Sequence, residues 1–399
     1  MGDNTIPFHR PSIGEEEISE VVATLRSGWL TTGPRTARFE DDFRNYVGAP
    51  YAVAVNSATA GLHVALAALE IGPGDEVITT PLTFSATVQA ILHVGAVPVL
   101  ADVGDDGNID AEQVQKRIGR RTRAIMPVHI AGLPCDMNAI WELARKHSIH
   151  VIEDAAHAAG AHFNGRPIGT GPTANAPASD AVVFSFYATK NMTTGEGGMV
   201  TTHRTELAET MRMLSLHGLS NDAWGRYTEH GYWCYDVLAH GFKYNLSDIQ
   251  AALGIHQLRK LESFIKCRTA YARIYQQALA GMAEVELPPD NDGCRHAWHL
   301  FILRLNLQLL KIDRAEFIRK LNERGIGTSV HFIPIPMLRF FASLGLGRYH
   351  CPRALNLYPR IVSLPLYPAM TEDQVHHVAR CVRETLERSR KEQLLAPGC

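Results

Sequence analysis

The stretch Ser185-Phe-Tyr-Ala-Thr-Lys190-Asn-Met-Thr-Thr-Gly195-Glu-Gly-Gly-Met-Val200 sets one lysine between an apolar run and a glycine-rich turn that leads into a second apolar run. The runs themselves, residues 181–186 and 198–202, are continuously apolar or β-branched, which predicts buried strands. The pattern repeats upstream. Strand-like runs at 51–55, 76–80, 97–101, 124–128 and 150–153 alternate with helical segments such as 61–69, and the turn Gly72-Pro-Gly-Asp75 introduces the second of them. Strand and helix in alternation predict an α/β fold whose mainly parallel central sheet is covered by helices on both faces.

Past residue 259 the texture changes to a charged helical stretch reaching Leu279, an apolar run at 298–305 and a helix at 314–324. We expect a large domain with an N-terminal arm over 1–259, a smaller C-terminal α/β domain over 260–388 and a tail over 389–399. Residues 165–179, rich in Gly and Pro, read as a long surface loop of the kind found near ligands.

Composition narrows the function. The 399 residues are 46% hydrophobic and 20% charged with a net charge of −2, so no basic field exists to hold nucleic acid or a membrane surface. No apolar stretch nears the ~20 residues that span a bilayer, and the start of the chain carries no charged-then-apolar leader. Cys135, Cys234, Cys267, Cys294, Cys351, Cys381 and Cys399 are scattered without a Cys-x-x-Cys pair, which fits reduced thiols in a cytoplasm. The histidine pairs His157/His162 and His376/His377 lack metal-ligand spacing, so no metal is expected. Dinucleotide, P-loop and hydrolase motifs are missing as well.

Three places could carry chemistry. A lysine sheltered at position 190 gives up its proton more easily than a surface lysine, and a neutral amine attacks an aldehyde. Asp154 ends the apolar run 150–153, at the carboxyl edge where open α/β sheets bind ligands, and there could hold a pyridine nitrogen protonated. Asn56-Ser-Ala-Thr-Ala-Gly-Leu62 opens a helix, whose unpaired N–H groups at Ala58 and Thr59 suit a phosphate. Each has a plainer reading: a solvated loop lysine, an Asp that caps a helix, and an ordinary capping motif.

Taken together, Gly28-Trp-Leu-Thr-Thr-Gly-Pro34, Ser57-Ala-Thr-Ala-Gly-Leu-His63, Glu153-Asp-Ala-Ala-His157, Ser185 to Lys190, Gly241-Phe-Lys-Tyr-Asn-Leu-Ser-Asp248 and Gly325-Ile-Gly-Thr-Ser-Val-His-Phe332 follow one another in an order that resembles the DegT/DnrJ/EryC1/StrS sugar aminotransferases. That resemblance implies the type I fold of pyridoxal-phosphate enzymes and a cofactor cycling between pyridoxal 5'-phosphate and pyridoxamine phosphate. It implies that Lys190 bonds to the cofactor and shuttles protons, and that Asp154 pairs with the pyridine nitrogen. His157 would lie beside the ring, Phe84 would stack on it, and Ala58, Thr59 and Ser185 would hold the phosphate. Asn245 would reach that phosphate from the neighbouring subunit of a homodimer with shared sites. Thr32 and His331 would lie near the sugar nucleotide. The implied reaction moves an amino group from an amino acid, usually glutamate, to a nucleotide-linked keto-hexose, 4-keto ahead of 3-keto. A related sugar dehydratase is disfavoured because those members replace the lysine with histidine, and a regulatory protein keeping the fold without turnover is the non-enzymatic alternative. The chain departs from the family at His331-Phe-Ile-Pro-Ile-Pro336, where relatives often carry a second histidine.

Overall fold

The structure, a computed structural model, describes residues 5–220, 235–289 and 293–391. Cys234, Cys399, the first four residues and the expected tail from 392 onward lie outside them.

The strands are β1 (Tyr51–Val55), β2 (Glu76–Thr79), β3 (Val97–Leu100), β4 (Thr122–Met126), β5 (His150–Asp154), β6 (His162–Phe163), β7 (Arg166–Pro167), β8 (Ala181–Ser185), β9 (Gly198–Thr202), β10 (Val285–Glu286), β11 (Cys294–Arg295), β12 (Phe301–Leu305) and β13 (Ile361–Leu364). The helices are α1 (Glu15–Ser27), α2 (Pro34–Val47), α3 (Ala58–Ala68), α4 (Ser85–His93), α5 (Ala111–Arg117), α6 (Met137–His147), α7 (Thr205–Ser215), α8 (Asp248–Leu279), α9 (Arg314–Asn322), α10 (Arg339–Ser343), α11 (Pro352–Leu357) and α12 (Glu372–Arg388).

Seven strands form the central sheet in the order β1-β9-β8-β5-β4-β2-β3. A mostly parallel sheet thus lies between helices, the α/β arrangement that the alternation predicts. β9 alone in this sheet runs against its neighbours, pairing Ser185 with Gly198 and Val55 with Gly198. The reason is local: residues 186–197 make a link of loop and turns with no helix to carry the crossover that a parallel return usually takes. Alternation then buries both faces of β8. Val182 and Phe184 pack with Phe39, Phe43 and Ile255, whereas Ala181 and Val183 pack with Leu62, Leu66 and Met211. Gly61 lets α3 settle onto the sheet, since a Cβ there would lie 2.7 Å from Val183 Cγ1.

A second sheet, β10-β12-β13, is antiparallel and shares its core with α9, α12 and the end of α8. α8 runs unbroken through residues 259 and 260, giving Ala251 and Ile255 to the first core and Tyr275 and Leu279 to the second. Arg268, buried near its middle, donates through Nη1 to the carbonyls of Trp298, His299 and Leu366. Ile6 of the N-terminal arm packs into this second core, with its backbone bonded to Gly325 and Gly327 at 2.8 Å each. The run 298–305 becomes strand from Phe301 onward, because Trp298 adopts φ 47° while Ala297 and Leu300 bond to Gly132 and Ala131.

Residues 165–179 do not border the main cavity. They pack elsewhere: Arg166–Pro167 pairs with His162–Phe163, Gly171 N donates to Gly48 O at 3.1 Å, and Ser179 reaches Glu153. The expectation of a ligand-side loop is corrected by this packing.

Candidate active site

The carboxyl edge of β5, the β8–β9 turn and the N-termini of α3 and α4 enclose a cavity of about 530 Å³. Lys190 and Asp154 both line it. The lysine sits in a turn closed by Lys190 N donating to Tyr187 O at 2.9 Å. Beside it, Asn191 Nδ2 donates to Ala297 O at 2.8 Å and Ala159 O at 3.3 Å, fastening the turn to the layer below. His9 Nε2 reaches Ala188 O at 2.9 Å from the N-terminal arm. Lys190 is half-buried and lines the cavity, and burial pushes its amine down to about 8 against the opposing pull of Asp154. Its place in the wall of a cavity shared with Asp154 counts against the solvated-loop alternative.

Asp154 Oδ2 accepts from Thr87 Oγ1 at 2.8 Å, and Oδ1 accepts from Ala156 N at 3.2 Å. Burial raises its carboxyl above the ordinary range, with the Thr87 bond the largest effect pulling the other way. Residues 155–161 form turns, not a helix, so Asp154 caps nothing. Its neighbour Glu153 is spent on structure: it accepts from Ser179 Oγ at 2.5 Å and meets His129 Nε2 at 2.8 Å.

At α3, Ser57 Oγ accepts from Ala60 N at 3.1 Å. Ala58 and Thr59, the first two helical residues, have no carbonyl one turn back, and both line the cavity with Ser185. β9 approaches so closely that a Cβ at Gly198 would lie 2.8 Å from Ala58 N. Phe84 lines the opposite part of the cavity with 62% of its surface exposed, its ring 6.1 Å from that of Phe332.

His157 is buried in the cavity wall, with no hydrogen-bond partner for Nδ1 among the described residues. Its ring lies 4.4 Å from that of His299 and 5.8 Å from that of Phe332. Burial pushes both imidazoles well below their usual value. His331 also lines the cavity, bonded through Nδ1 to Ser363 Oγ at 2.8 Å, and burial lowers it to about 4. All three histidines are therefore neutral near pH 7.

Thr32 and Asn245 are placed together but outside this wall. Asn245 Nδ2 donates to Thr32 Oγ1 at 2.6 Å, and Thr32 donates to Leu246 O. They meet where the Asp248 carboxylate accepts from Gly33 N, Arg35 N and Thr36 N at 2.8, 3.0 and 2.9 Å. Sequence reasoning missed Thr87 and His299. A Thr four residues after Thr83 at a helix start, and a polar His inside the apolar run 298–305, were the signals available.

An amine, a carboxylate, bare helix N–H groups and an exposed aromatic ring around one cavity match the aldehyde, ring nitrogen, phosphate and π-face of pyridoxal phosphate. Among the described residues no cluster of His, Cys, Asp and Glu is placed to hold a metal, and no helix is long and apolar enough to cross a membrane.

Comparison with known proteins agrees. The sequence model of the DegT/DnrJ/EryC1/StrS aminotransferase family matches residues 11–383. The spore coat polysaccharide biosynthesis protein SpsC of Bacillus subtilis is 47% identical over 385 residues, covering 96% of this chain and 97% of that protein. Spr1654 from Streptococcus pneumoniae, solved in a PLP-form, superposes with a TM-score of 0.88 at 33% identity over 96% of this chain and 99% of that one. PseC of Helicobacter pylori, an aminotransferase of pseudoaminic acid biosynthesis, superposes with a TM-score of 0.88 at 28% identity, covering 96% and 100% of the two chains.

Proposed function

The chain belongs to the DegT/DnrJ/EryC1/StrS aminotransferase family, and on that premise we propose that it moves an amino group from glutamate to a nucleotide-linked keto-hexose in the cytoplasm, 4-keto ahead of 3-keto. The observation that carries this reading is Lys190 and Asp154 lining one cavity with the bare N-terminus of α3. The cofactor is pyridoxal 5'-phosphate, and when bound it supplies a ring that accepts the electron pair left as the amino-bearing carbon loses its proton. Lys190 Nζ, in its neutral form, removes and returns that proton. Asp154 holds the ring nitrogen protonated, Phe84 and His157 flank the ring, and Ala58, Thr59 and Ser185 anchor the phosphate. His331 and Thr32 face the sugar nucleotide. The division into a cofactor-binding domain over 1–259 and a smaller one over 260–388 belongs to the same proposal.

Asn245 and Thr32 lie outside the wall of their own chain's cavity. A phosphate contact from Asn245 then requires a second copy of the chain, in a homodimer with shared sites. Mixing Asn245→Ala with Lys190→Ala subunits is expected to restore about one working site per mixed dimer; absence of any restoration counts against sharing.

The test of the function is spectroscopic, then chemical. The purified protein is expected to be yellow and glutamate to bleach it, and a nucleotide-linked keto-hexose from a panel is expected to restore the colour and leave an aminated sugar detectable by mass spectrometry. A glutamate-insensitive protein, or amination confined to sugars without a nucleotide, overturns the reading.

A further inference from the structure

Two hydroxyls in series end on Asp154. Thr87 Oγ1 lies 2.8 Å from Asp154 Oδ2, and Thr83 Oγ1 lies 2.7 Å from Thr87 Oγ1. An ionised carboxylate can only accept, so the single hydroxyl proton of Thr87 points to Asp154 and its oxygen takes the proton of Thr83. Thr83 and Thr87 are 2% and 1% exposed, which leaves water little part in the chain.

Thr87 bonds as Thr36 in the first turn of α2 does, which donates to Asp248 Oδ1 at 2.7 Å, and not as threonines deeper in helices do. Thr24, Thr210, Thr269 and Thr385 each donate to the carbonyl four residues back, at 2.7–2.8 Å. Thr87, in the first turn of α4, donates instead to a side chain 67 residues away. The other Asp154 oxygen takes the Ala156 N–H, so the carboxylate cannot turn without losing both bonds.

We propose that Thr87, backed by Thr83, is a positioning residue for the cofactor, holding Asp154 ionised and in one orientation toward the pyridine nitrogen. The proposal rests on the assignment of Asp154 given above. Burial works against that ionised state, and the Thr87 bond is the largest effect opposing it. Thr83 strengthens the relay by polarising the hydroxyl that makes it.

The experiment compares equilibrium binding of pyridoxal phosphate with binding of its analogue carrying carbon in place of the ring nitrogen, which gives Asp154 nothing to pair with. Thr87→Val is expected to weaken pyridoxal phosphate about ten-fold and the analogue less than about two-fold, the loss of one hydrogen bond to a charged group. Thr87→Ser restores the wild-type ratio, and Thr83→Val loses roughly three-fold. Unaltered analogue affinity doubles as the check that the site is folded, and Thr83→Val carries the ratio test should Thr87→Val not fold. Equal weakening of both cofactors, or a Thr87→Ser variant as impaired as Thr87→Val, overturns the relay. Asp154→Asn is the reference. If it discriminates between the cofactors and Thr87→Val does not, the relay alone falls; if Asp154→Asn does not discriminate either, the role of Asp154 falls and the relay with it.

Discussion

Lys190→Ala is expected to lower amino transfer by more than about a thousand-fold, because one side chain supplies both the nucleophile and the proton carrier. The structure gives the amine the state that both tasks need. With its value pushed down to about 8, roughly a tenth of the amine is neutral at pH 7, some three-hundred-fold more than for a lysine at 10.5. The sign of the pH dependence follows. Protonation removes the lone pair, so covalent capture of the cofactor by the apoprotein should rise with pH through about 8 and then level off. Borohydride should fix the cofactor to a peptide containing Lys190 in the wild type and to none in Lys190→Ala, a difference read directly by mass. Loss below ten-fold, or capture at another lysine, would remove the central step.

Much of this site is written locally. β1 and β9 occupy the predicted residues 51–55 and 198–202, since a continuous apolar run ended by turn residues has few other ways to be buried. The positions of Lys190 and Asp154 were legible for a related reason: Asp154 ends β5, and Lys190 lies in the turn between the apolar strands β8 and β9. What the pattern hides is direction and distance. Hydrophobicity does not say that β9 turns back on β8; that follows from a link folded as turns with no helix in it. Thr87 looks like an ordinary residue of an amphipathic helix, and its partner is fixed by how α4, packed on α3, β2 and β3, points its first turn at the end of β5. His299 comes from the segment joined to Ala131 and Gly132 across the two cores, a contact no local pattern encodes. The loop at 165–179 misleads for the converse reason, since its composition reports turns and exposure but not which side of the sheet they occupy.

Asp154→Asn separates the cost of this site from its use. An acid placed for stability would be paired with a cation or would cap a helix; Asp154 ends a strand, takes two hydrogen bonds and is pushed up by burial. A carboxyl whose folded value is raised favours the folded state at low pH and loses that contribution as pH rises through the raised value. After removal of the cofactor, the wild type should therefore lose Tm relative to Asp154→Asn as pH climbs above the ordinary carboxylate range, and the variant should be at least as stable near pH 7. The rate should move the other way. Giving up a charge-assisted bond of about 1.5–3 kcal/mol to the ring nitrogen predicts a roughly ten- to hundred-fold fall in amino transfer with the fold intact. A variant that is both slower and less stable would mean that Asp154 is held for packing, and a variant with wild-type rate would mean that another group protonates the ring.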